Sequence, residues 1–459
     1  MKKVAFHNLG CKVNSYELDG ISQMFQKRGY EIVDFAQKAD VYVVNTCTVT
    51  NIADHKSRQM LGRAKALNPD AIVVAAGCYV QNSIEKVLAD ENIDIAVGTG
   101  HKSEIVDLVE EYAAKAGRVQ DKTFGGRTVS DLRTPCEYDD LSITGTSGKT
   151  RAYIKIQDGC DMFCSYCAIP FARGRTRSRA IKDIADEAAR LAASGYREVV
   201  VTGIHVSSYG LGKEYNSFAS SGGTNTSLLD AISAVSSIEG IDRIRLSSLE
   251  PRLITEEFIG RLSEDPKICP HFHLSLQSGC DSVLARMNRH YTTAEYEEKV
   301  SLIRKYYEHP AITTDIISGF PGETEEEFET TRSFLNRVDL YECHIFKYSR
   351  RAGTAADRMA GQLTDAVKSE RAAELARDSE ERKRRFMSFY AGKRVWILTE
   401  DTEDFGGIER TVGYTPEYVK CCVPVTGSGQ ITQILCFESG CDTIDNDGRS
   451  LSLWGEPVG

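Results

Sequence analysis

The stretch Gly159-Cys160-Asp161-Met162-Phe163-Cys164-Ser165-Tyr166-Cys167 decides how the chain is read. Three cysteines stand at C-x3-C-x2-C spacing directly after an apolar strand pattern, Tyr153 to Gln157. A short loop of this kind wraps three thiolates around one cube-shaped iron–sulfur cluster. Three protein ligands leave one of the four irons open, and an open iron chelates a small molecule through its amino and carboxylate groups. Zinc is the competing metal, but it normally takes four ligands and no fourth Cys or His lies nearby. Three unrelated core cysteines at this spacing would be a rarer coincidence.

Outward from this loop, strand patterns recur at Glu198 to Thr202, Arg243 to Ser247, Phe272 to Leu276, Thr314 to Ile317 and His344 to Tyr348, with helical stretches between them. Six strand–helix units predict an α/β fold, a partial (β/α)6 barrel over residues 150–375. A loop rich in Gly, Ser and Asn interrupts it from about Ser207 to Thr226. Upstream, residues 1–117 alternate strands (Lys3 to His7, Val41 to Asn45, Ala71 to Ala75, Ile93 to Val97) with helices, the pattern of a parallel α/β domain. Residues 118–149 read as a linker. Cys11, Cys47 and Cys78 each fall just past the carboxyl end of a predicted strand, the edge where open α/β sheets bind ligands. Taken singly each reads as a buried thiol. Taken together they predict a second three-cysteine cluster site. Downstream, Thr364 to Phe389 form a charged helical pattern whose Arg382-Lys383-Arg384-Arg385 favourably opposes the helix dipole. A connecting helix (376–391) then leads into short strands with glycine-bearing turns, predicting a small β-barrel over 392–446 and a tail over 447–459.

The length, 459 residues, suits about three domains. No run of about 18 apolar residues is present, which excludes an apolar spanning helix. Met1-Lys2-Lys3 lead straight into a short strand, without the apolar core of a signal peptide, so a cytoplasmic location is expected. The net charge of -10 argues against bulk electrostatic binding of nucleic acid or membrane but leaves room for a local basic patch. Fourteen cysteines in a reducing compartment point to metal or redox chemistry. The eight outside the two sets (Cys136, Cys269, Cys280, Cys343, Cys421, Cys422, Cys436 and Cys441) read as small core residues; the last four have no recognised zinc spacing.

At these residues the chain resembles the radical S-adenosylmethionine (SAM) methylthiotransferases. Cys160, Cys164 and Cys167, with Tyr166, match the radical SAM motif, and Cys11, Cys47 and Cys78 match the N-terminal methylthiotransferase domain. Gly413-Tyr414-Thr415-Pro416-Glu417-Tyr418-Val419 looks like part of a TRAM domain, a small RNA-binding barrel. Gln277-Ser278-Gly279-Cys280-Asp281, Met287-Asn288-Arg289 and Gly319-Phe320-Pro321-Gly322-Glu323-Thr324 also match, in the family's order. Cys11-Lys12-Val13-Asn14 with Glu17 resembles the branch acting on threonylcarbamoyladenosine in tRNA, rather than those acting on isopentenyladenosine or on a ribosomal protein.

The resemblance implies two [4Fe-4S] clusters and SAM. It implies reductive cleavage of SAM to a 5′-deoxyadenosyl radical at one cluster and methylation of sulfur by a second SAM at the other. The product would be 2-methylthio-N6-threonylcarbamoyladenosine at position 37 of tRNA. The cofactors, not a side-chain base, carry the hard step, so no catalytic side chain is assigned. Tyr166, Thr202, Gly203, Ser248, Glu250 and Gln277 are the candidates for holding SAM, each of which could equally cap a helix or satisfy a turn. Arg173, Arg175, Arg177, Arg179 and Lys182 form an acid-free run beside the cluster loop, suited to phosphate contact or to salt bridges within the site. Tyr390 to Gly459 holds five Lys/Arg against eleven Asp/Glu, so RNA contact there rests on a few residues such as Lys393, Arg394, Arg410 and Lys420. Lys12 and the arginines are candidates for the substrate carboxylate. The implied partners are a tRNA anticodon loop, a low-potential electron donor such as flavodoxin or ferredoxin, and a sulfur donor. A non-catalytic iron–sulfur or zinc scaffold that binds RNA is the alternative of another class.

Overall fold

The computed structural model describes residues 1–115, 121–132, 137–146, 148–405, 407–425, 427–437 and 452–458. Valine- and alanine-rich runs at Val41–Thr46 and Ile72–Gly77 are buried along nearly their whole length, as parallel strands covered on both faces require. With β1 (Lys3–Asn8), β2 (Glu31–Val33), β3 (Val41–Thr46), β4 (Ile72–Gly77) and β5 (Ile95–Val97) they make a parallel sheet of order β2-β1-β3-β4-β5. The edge strand β2 was not legible, because three half-exposed residues carry no period.

Six parallel strands follow: β6 (Ala152–Asp158), β8 (Glu198–Gly203), β9 (Arg243–Leu246), β10 (His271–His273), β11 (Ala311–Ser318) and β12 (Glu342–Lys347), with a two-residue β7 (Arg177–Ser178) antiparallel to β6. They form two sheets, β7-β6-β8-β9 and β10-β11-β12. Parallel bridges Ile244–Ile268 and Leu249–Leu274 join them into the expected partial barrel. Alternate residues such as Ile154, Val199, Val201, Phe272 and Ile312 face the helices in one apolar core, which turns the other set inward.

The C-terminal barrel is closed, in the order β13 (Arg394–Asp404), β14 (Glu409–Tyr414), β15 (Lys420–Val423), β17 (Leu453–Pro457), β16 (Ile431–Phe437). The expected tail is therefore corrected: Leu453–Pro457 pairs with both β15 and β16 and completes the barrel. The helix before the barrel runs Asp365–Ser388, capped by the Thr364 side chain on the Val367 amide. The linker needs correcting too. In its described parts Leu141 and Ile143 join the core of the central domain, and Tyr138 Oη donates to the Lys155 carbonyl at 2.8 Å. The Ser207–Thr226 loop contains the helix Tyr215–Ser220. No described helix is long and apolar enough to cross a membrane.

Candidate metal centres and active site

The loop after β6 turns at Gly159 (φ +76), where an added Cβ would stand 2.0 Å from the Arg175 carbonyl oxygen. Only glycine fits there. Met162 and Cys164 pack inward against Tyr215 and Ala219, with Cys160, Tyr166 and Cys167 half-buried beside them. Met287-Asn288-Arg289, legible only as a likeness, latches this loop. The Ser165 amide donates to the Met287 carbonyl (3.0 Å), Asn288 Nδ2 to the Phe163 carbonyl (3.0 Å), and Arg289 Nη1 to Cys164 Sγ (3.3 Å). Burial, then the neighbouring thiols Cys164 and Cys167, push the Cys160 thiol far up, and burial with Cys164 pushes Cys167 up to about 12. Thiols so placed become thiolates only against a cation, which is what a cluster iron supplies.

The second set comes together because β1, β3 and β4 are adjacent. Cys11 caps the helix Lys12–Lys27 after β1, Cys47 follows β3, and Cys78 opens a helix after β4. A Cβ on Gly10 would lie 3.2 Å from Cys47 Sγ, so the first two loops touch. Burial, and then Cys78 and Cys11, raise Cys47 to about 11; Cys78 is raised by burial. Cys11 is exposed, Cys47 and Cys78 buried.

Between the two sites lies a buried ionic network that the sequence did not reveal. Glu17 pairs with Lys102, with Lys155 (2.9 Å) and with Arg173 (2.5 Å), and Asp158 pairs with Lys155 (2.7 Å) and Arg173 (3.3 Å). These side chains are essentially inaccessible to solvent. Arg173, Lys102 and Lys155 hold Glu17 well below the usual carboxylate range, and Lys155, Arg173 and Arg177 hold Asp158 at about 2, although burial alone would raise both. Lys102, Lys155 and Arg173 against two carboxylates leave positive charge in excess, and Arg173 and Lys102 act directly on Cys78. Thiolates at Cys78 and its neighbours offset that excess, so this donor set fits an anionic cluster.

Of the residues expected near SAM, Thr202 is buried in β8, and a Cβ on Gly203 would stand 2.9 Å from Gln157 Oε1. Gln157 Oε1 in turn accepts from the His205 amide (2.7 Å). Glu250 is already engaged: it accepts from Tyr215 Oη (2.7 Å), Arg252 Nε (2.8 Å) and the Arg252 amide (3.0 Å), so it caps the turn at Pro251–Leu253. Ser248 is exposed. Gln277 lies four residues past β10 in left-handed backbone (φ +76), bridged to Ile316, and Tyr166 is half-buried. His205 was missed. Burial holds its imidazole neutral, with a pKa lowered to about 4, and Nε2 is buried without a protein partner. An orphaned polar atom beside the cysteine loop is where a polar ligand would be satisfied.

Residues 3–98 match the model of the uncharacterized protein family UPF0004, and residues 154–335 match the radical SAM superfamily. Over 446 residues the chain is 40% identical to the threonylcarbamoyladenosine tRNA methylthiotransferase MtaB of Bacillus subtilis (strain 168), covering 96% of this chain and 95% of that relative. The chain belongs to the radical SAM methylthiotransferase family. The MtaB of Aquifex aeolicus (strain VF5) is 38% identical, covering 89% of this chain and 96% of the relative. A tRNA-2-methylthio-N(6)-dimethylallyladenosine synthase of Syntrophus aciditrophicus (strain SB) is 31% identical, covering 98% and 92%. The fold is also that of the radical SAM methyltransferase TsrM from Kitasatospora setae (TM-score 0.51, 16% identity, 75% of this chain and 73% of that one). As a radical SAM enzyme this methylthiotransferase uses a [4Fe-4S] cluster and SAM.

The arginine run departs from the phosphate-binding expectation. Arg173 belongs to the buried network. Arg179 is buried against Glu187 (3.0 Å) and Asp140 (2.9 Å). Arg177 donates to the carbonyls of Arg173 and Arg175. Of the four, only Arg175 is exposed, and it pairs with Asp161 at 2.8 Å. On the C-terminal barrel Lys420 is buried against Glu403 (2.9 Å) and Arg410 lies over Trp454, whereas Lys393 and Arg394 are exposed. Cys269, Cys280, Cys343, Cys421, Cys422 and Cys436 are buried, in keeping with core roles; Cys136 and Cys441 lie outside the described residues. Lys12 is exposed at the start of its helix, where the charges of Arg245, Arg151 and Asp315 act on it. There His273 lies 3.3 Å from Asp315 and stacks on His344 at 5.6 Å.

Proposed function

We infer that this enzyme methylthiolates C2 of N6-threonylcarbamoyladenosine at position 37 of tRNA, using a second [4Fe-4S] cluster on Cys11, Cys47 and Cys78. The observation that supports the reading is the Glu17–Arg173 network, which ties the helix after Cys11 to the segment after Cys167, with Lys12 near enough to feel the charges of Arg245, Arg151 and Asp315. The names of the two MtaB relatives support the substrate. When bound, SAM and the clusters supply the one-electron cleavage and the sulfur.

The chain's own residues do the rest. Gly159 and the Met287–Arg289 latch fix the cysteine loop. The Gln157–His205 contact shapes the SAM side. The Glu17 network locks the two cysteine-bearing domains so that their sites keep one separation. With Arg173 and Arg179 buried in ion pairs and Arg175 paired with Asp161, Lys12 is the candidate left to meet the threonylcarbamoyl carboxylate, a charge that isopentenyladenosine lacks. An anticodon-loop base leaves its stack at modest cost to enter such a site. Lys393 and Arg394 on the TRAM-like barrel are the exposed cations proposed to touch RNA phosphate, and a low-potential electron donor and a sulfur donor complete the partners.

The test supplies reconstituted enzyme with tRNAs bearing either modification. Methylthiolation of the threonylcarbamoyl tRNA is expected. Conversion of the isopentenyl tRNA alone would refute the substrate and leave the family membership standing.

A further inference from the structure

The helix Asn51–Leu67 carries a basic stripe that the packing of its domain does not use. It starts four residues past Cys47, where the Thr50 side chain accepts from the Ala53 amide (3.1 Å). Ser57, Leu61 and Ala64 make its buried face. Ile52, Lys56, Gln59 and Arg63 recur every three or four residues and are exposed, so they form one line along the side turned to solvent. The helix holds four Lys/Arg against one acid, and that acid, Asp54, is taken by Arg351 (2.8 Å). Lys65 is paired with Asp94 (2.7 Å), and Arg58 lies over the ring of Tyr79, next to Cys78. Lys56 and Arg63 have no ion-pair partner among the described residues. The other basic run behaves differently: Lys383, Arg384 and Arg385 are each paired with a carboxylate. The near end of the stripe is fixed at the joint of the two cysteine-bearing domains. The Asn51 amide donates to Ser349 Oγ (3.2 Å), Asn51 Nδ2 donates to the Arg350 carbonyl (3.1 Å), and Arg351 donates to Asn51 Oδ1 and to Thr48 Oγ1 (2.7 Å each). Ser349 to Arg351 follow the carboxyl end of β12.

We propose that this stripe, with Lys56 and Arg63 as its charges, is the surface on which the anticodon stem of the tRNA lays its phosphates while the loop reaches the cysteine sites. This rests on tRNA being the substrate and names where its backbone is held. Two arguments choose the occupant. The substrate base hangs from a polyanion, so phosphates of the stem must stand close to wherever the base enters. The stripe leads away from Cys47, and from Ile52 to Arg63 it runs about 16 Å along the helix with its cations in the farther part. The alternatives for backbone contact are also poor. Arg173, Arg175 and Arg179 are held by Glu17, Asp161 and Glu187, and the C-terminal section carries five Lys/Arg against eleven Asp/Glu. In a chain of net charge -10, unpaired cations at the rim of the site are what a phosphate backbone would find. Contacts of this kind orient the RNA and carry no sequence information, which leaves the choice of base to the interior. An acidic protein is the other class that a cationic helix would suit, and the experiment separates the two.

The test measures binding of a tRNA bearing threonylcarbamoyladenosine at position 37 to the anaerobically reconstituted enzyme over a range of salt concentrations. The double variant Lys56→Ala, Arg63→Ala is expected to bind about ten-fold more weakly at physiological salt, with the salt dependence lowered by about two ions. Its iron content and its tRNA-independent SAM cleavage should equal those of the wild type, and methylthiolation should show a raised KM for tRNA with kcat kept. The conservative pair Lys56→Arg, Arg63→Lys should bind as the wild type does. So should the double variant Lys305→Ala, Arg337→Ala, which removes the same charge from exposed residues paired with Glu256 and Glu297. Wild-type affinity and salt dependence in the Lys56→Ala, Arg63→Ala enzyme overturns the proposal. An equal loss in the Lys305→Ala, Arg337→Ala enzyme also overturns it, because the effect would then be one of net charge. Loss of methylthiolation with tRNA binding intact would assign the stripe to a protein partner and overturn it as well. A wild-type enzyme that binds no tRNA would instead defeat the substrate reading beneath it.

Discussion

The two cysteine sites of this enzyme are built in opposite ways. Cys160, Cys164 and Cys167 come from eight consecutive residues, held by one glycine turn and one latch. Cys11, Cys47 and Cys78 come from 68 residues and meet only because β1, β3 and β4 are neighbours in the sheet. The first site is local and its geometry is a property of a loop. The second is topological and exists only when a domain is folded. The first should therefore tolerate damage elsewhere, and the second should report on the state of the whole N-terminal sheet.

The largest expected effect separates the sites by role. Cys160→Ala should abolish reductive SAM cleavage, whereas Cys47→Ala should lose methylthiolation but retain uncoupled formation of 5′-deoxyadenosine. Chromatography of nucleosides and SAM products reads both. Robust methylthiolation by Cys47→Ala would remove the distinction.

The next effect falls on the joint between the domains. Glu17→Gln leaves Lys102, Lys155 and Arg173 buried with one carboxylate between them. A loss of about 3 kcal/mol is expected in chemical denaturation, with iron lost from the N-terminal site before the loop. The pH dependence has a definite sign. Glu17 and Asp158 have folded pKa values below their unfolded ones, so their contribution is complete above about pH 5 and is lost as the pH falls toward 2. Proteolysis at the domain junction should thus accelerate below about pH 4 in the wild type, and not between pH 7 and 5. An equally stable Glu17→Gln enzyme would show that the network does not join the sites.

A smaller effect tests the latch. Asn288→Ala removes one hydrogen bond to the Phe163 carbonyl and should cost about 1 kcal/mol, seen as faster iron release from the loop and unchanged retention by the other site. Smallest is the C-terminal barrel. Lys393→Ala or Arg394→Ala should each weaken tRNA binding by no more than about five-fold and lower the salt dependence by about one ion.

The same contrast explains what was legible. Cys160 to Cys167 could be read directly because spacing encodes a loop's geometry. Cys11, Cys47 and Cys78 could be read because strand ends were visible from Val- and Ala-rich runs, although sheet order was not. The Glu17, Lys102, Lys155 and Asp158 network was hidden: its members lie up to 141 positions apart and look like ordinary surface charge. Arg173 and Arg179 left phosphate contact and salt bridges both open for the same reason, since an acid-free run tells nothing about acids that fold over it from Glu17, Asp140 and Glu187. Leu453–Pro457 looked like a tail because a barrel's closing strand is defined by its partners more than by its own pattern.

Iron and sulfide analysis of the anaerobically reconstituted enzyme tests the central claim, two independent clusters on two differently built sites, most directly. The wild type should hold about eight irons per chain, and the triple variant Cys160→Ala, Cys164→Ala, Cys167→Ala about four, because the sheet-built site does not depend on the loop. A triple variant that kept all its iron, or lost all of it while still folded, would contradict the account.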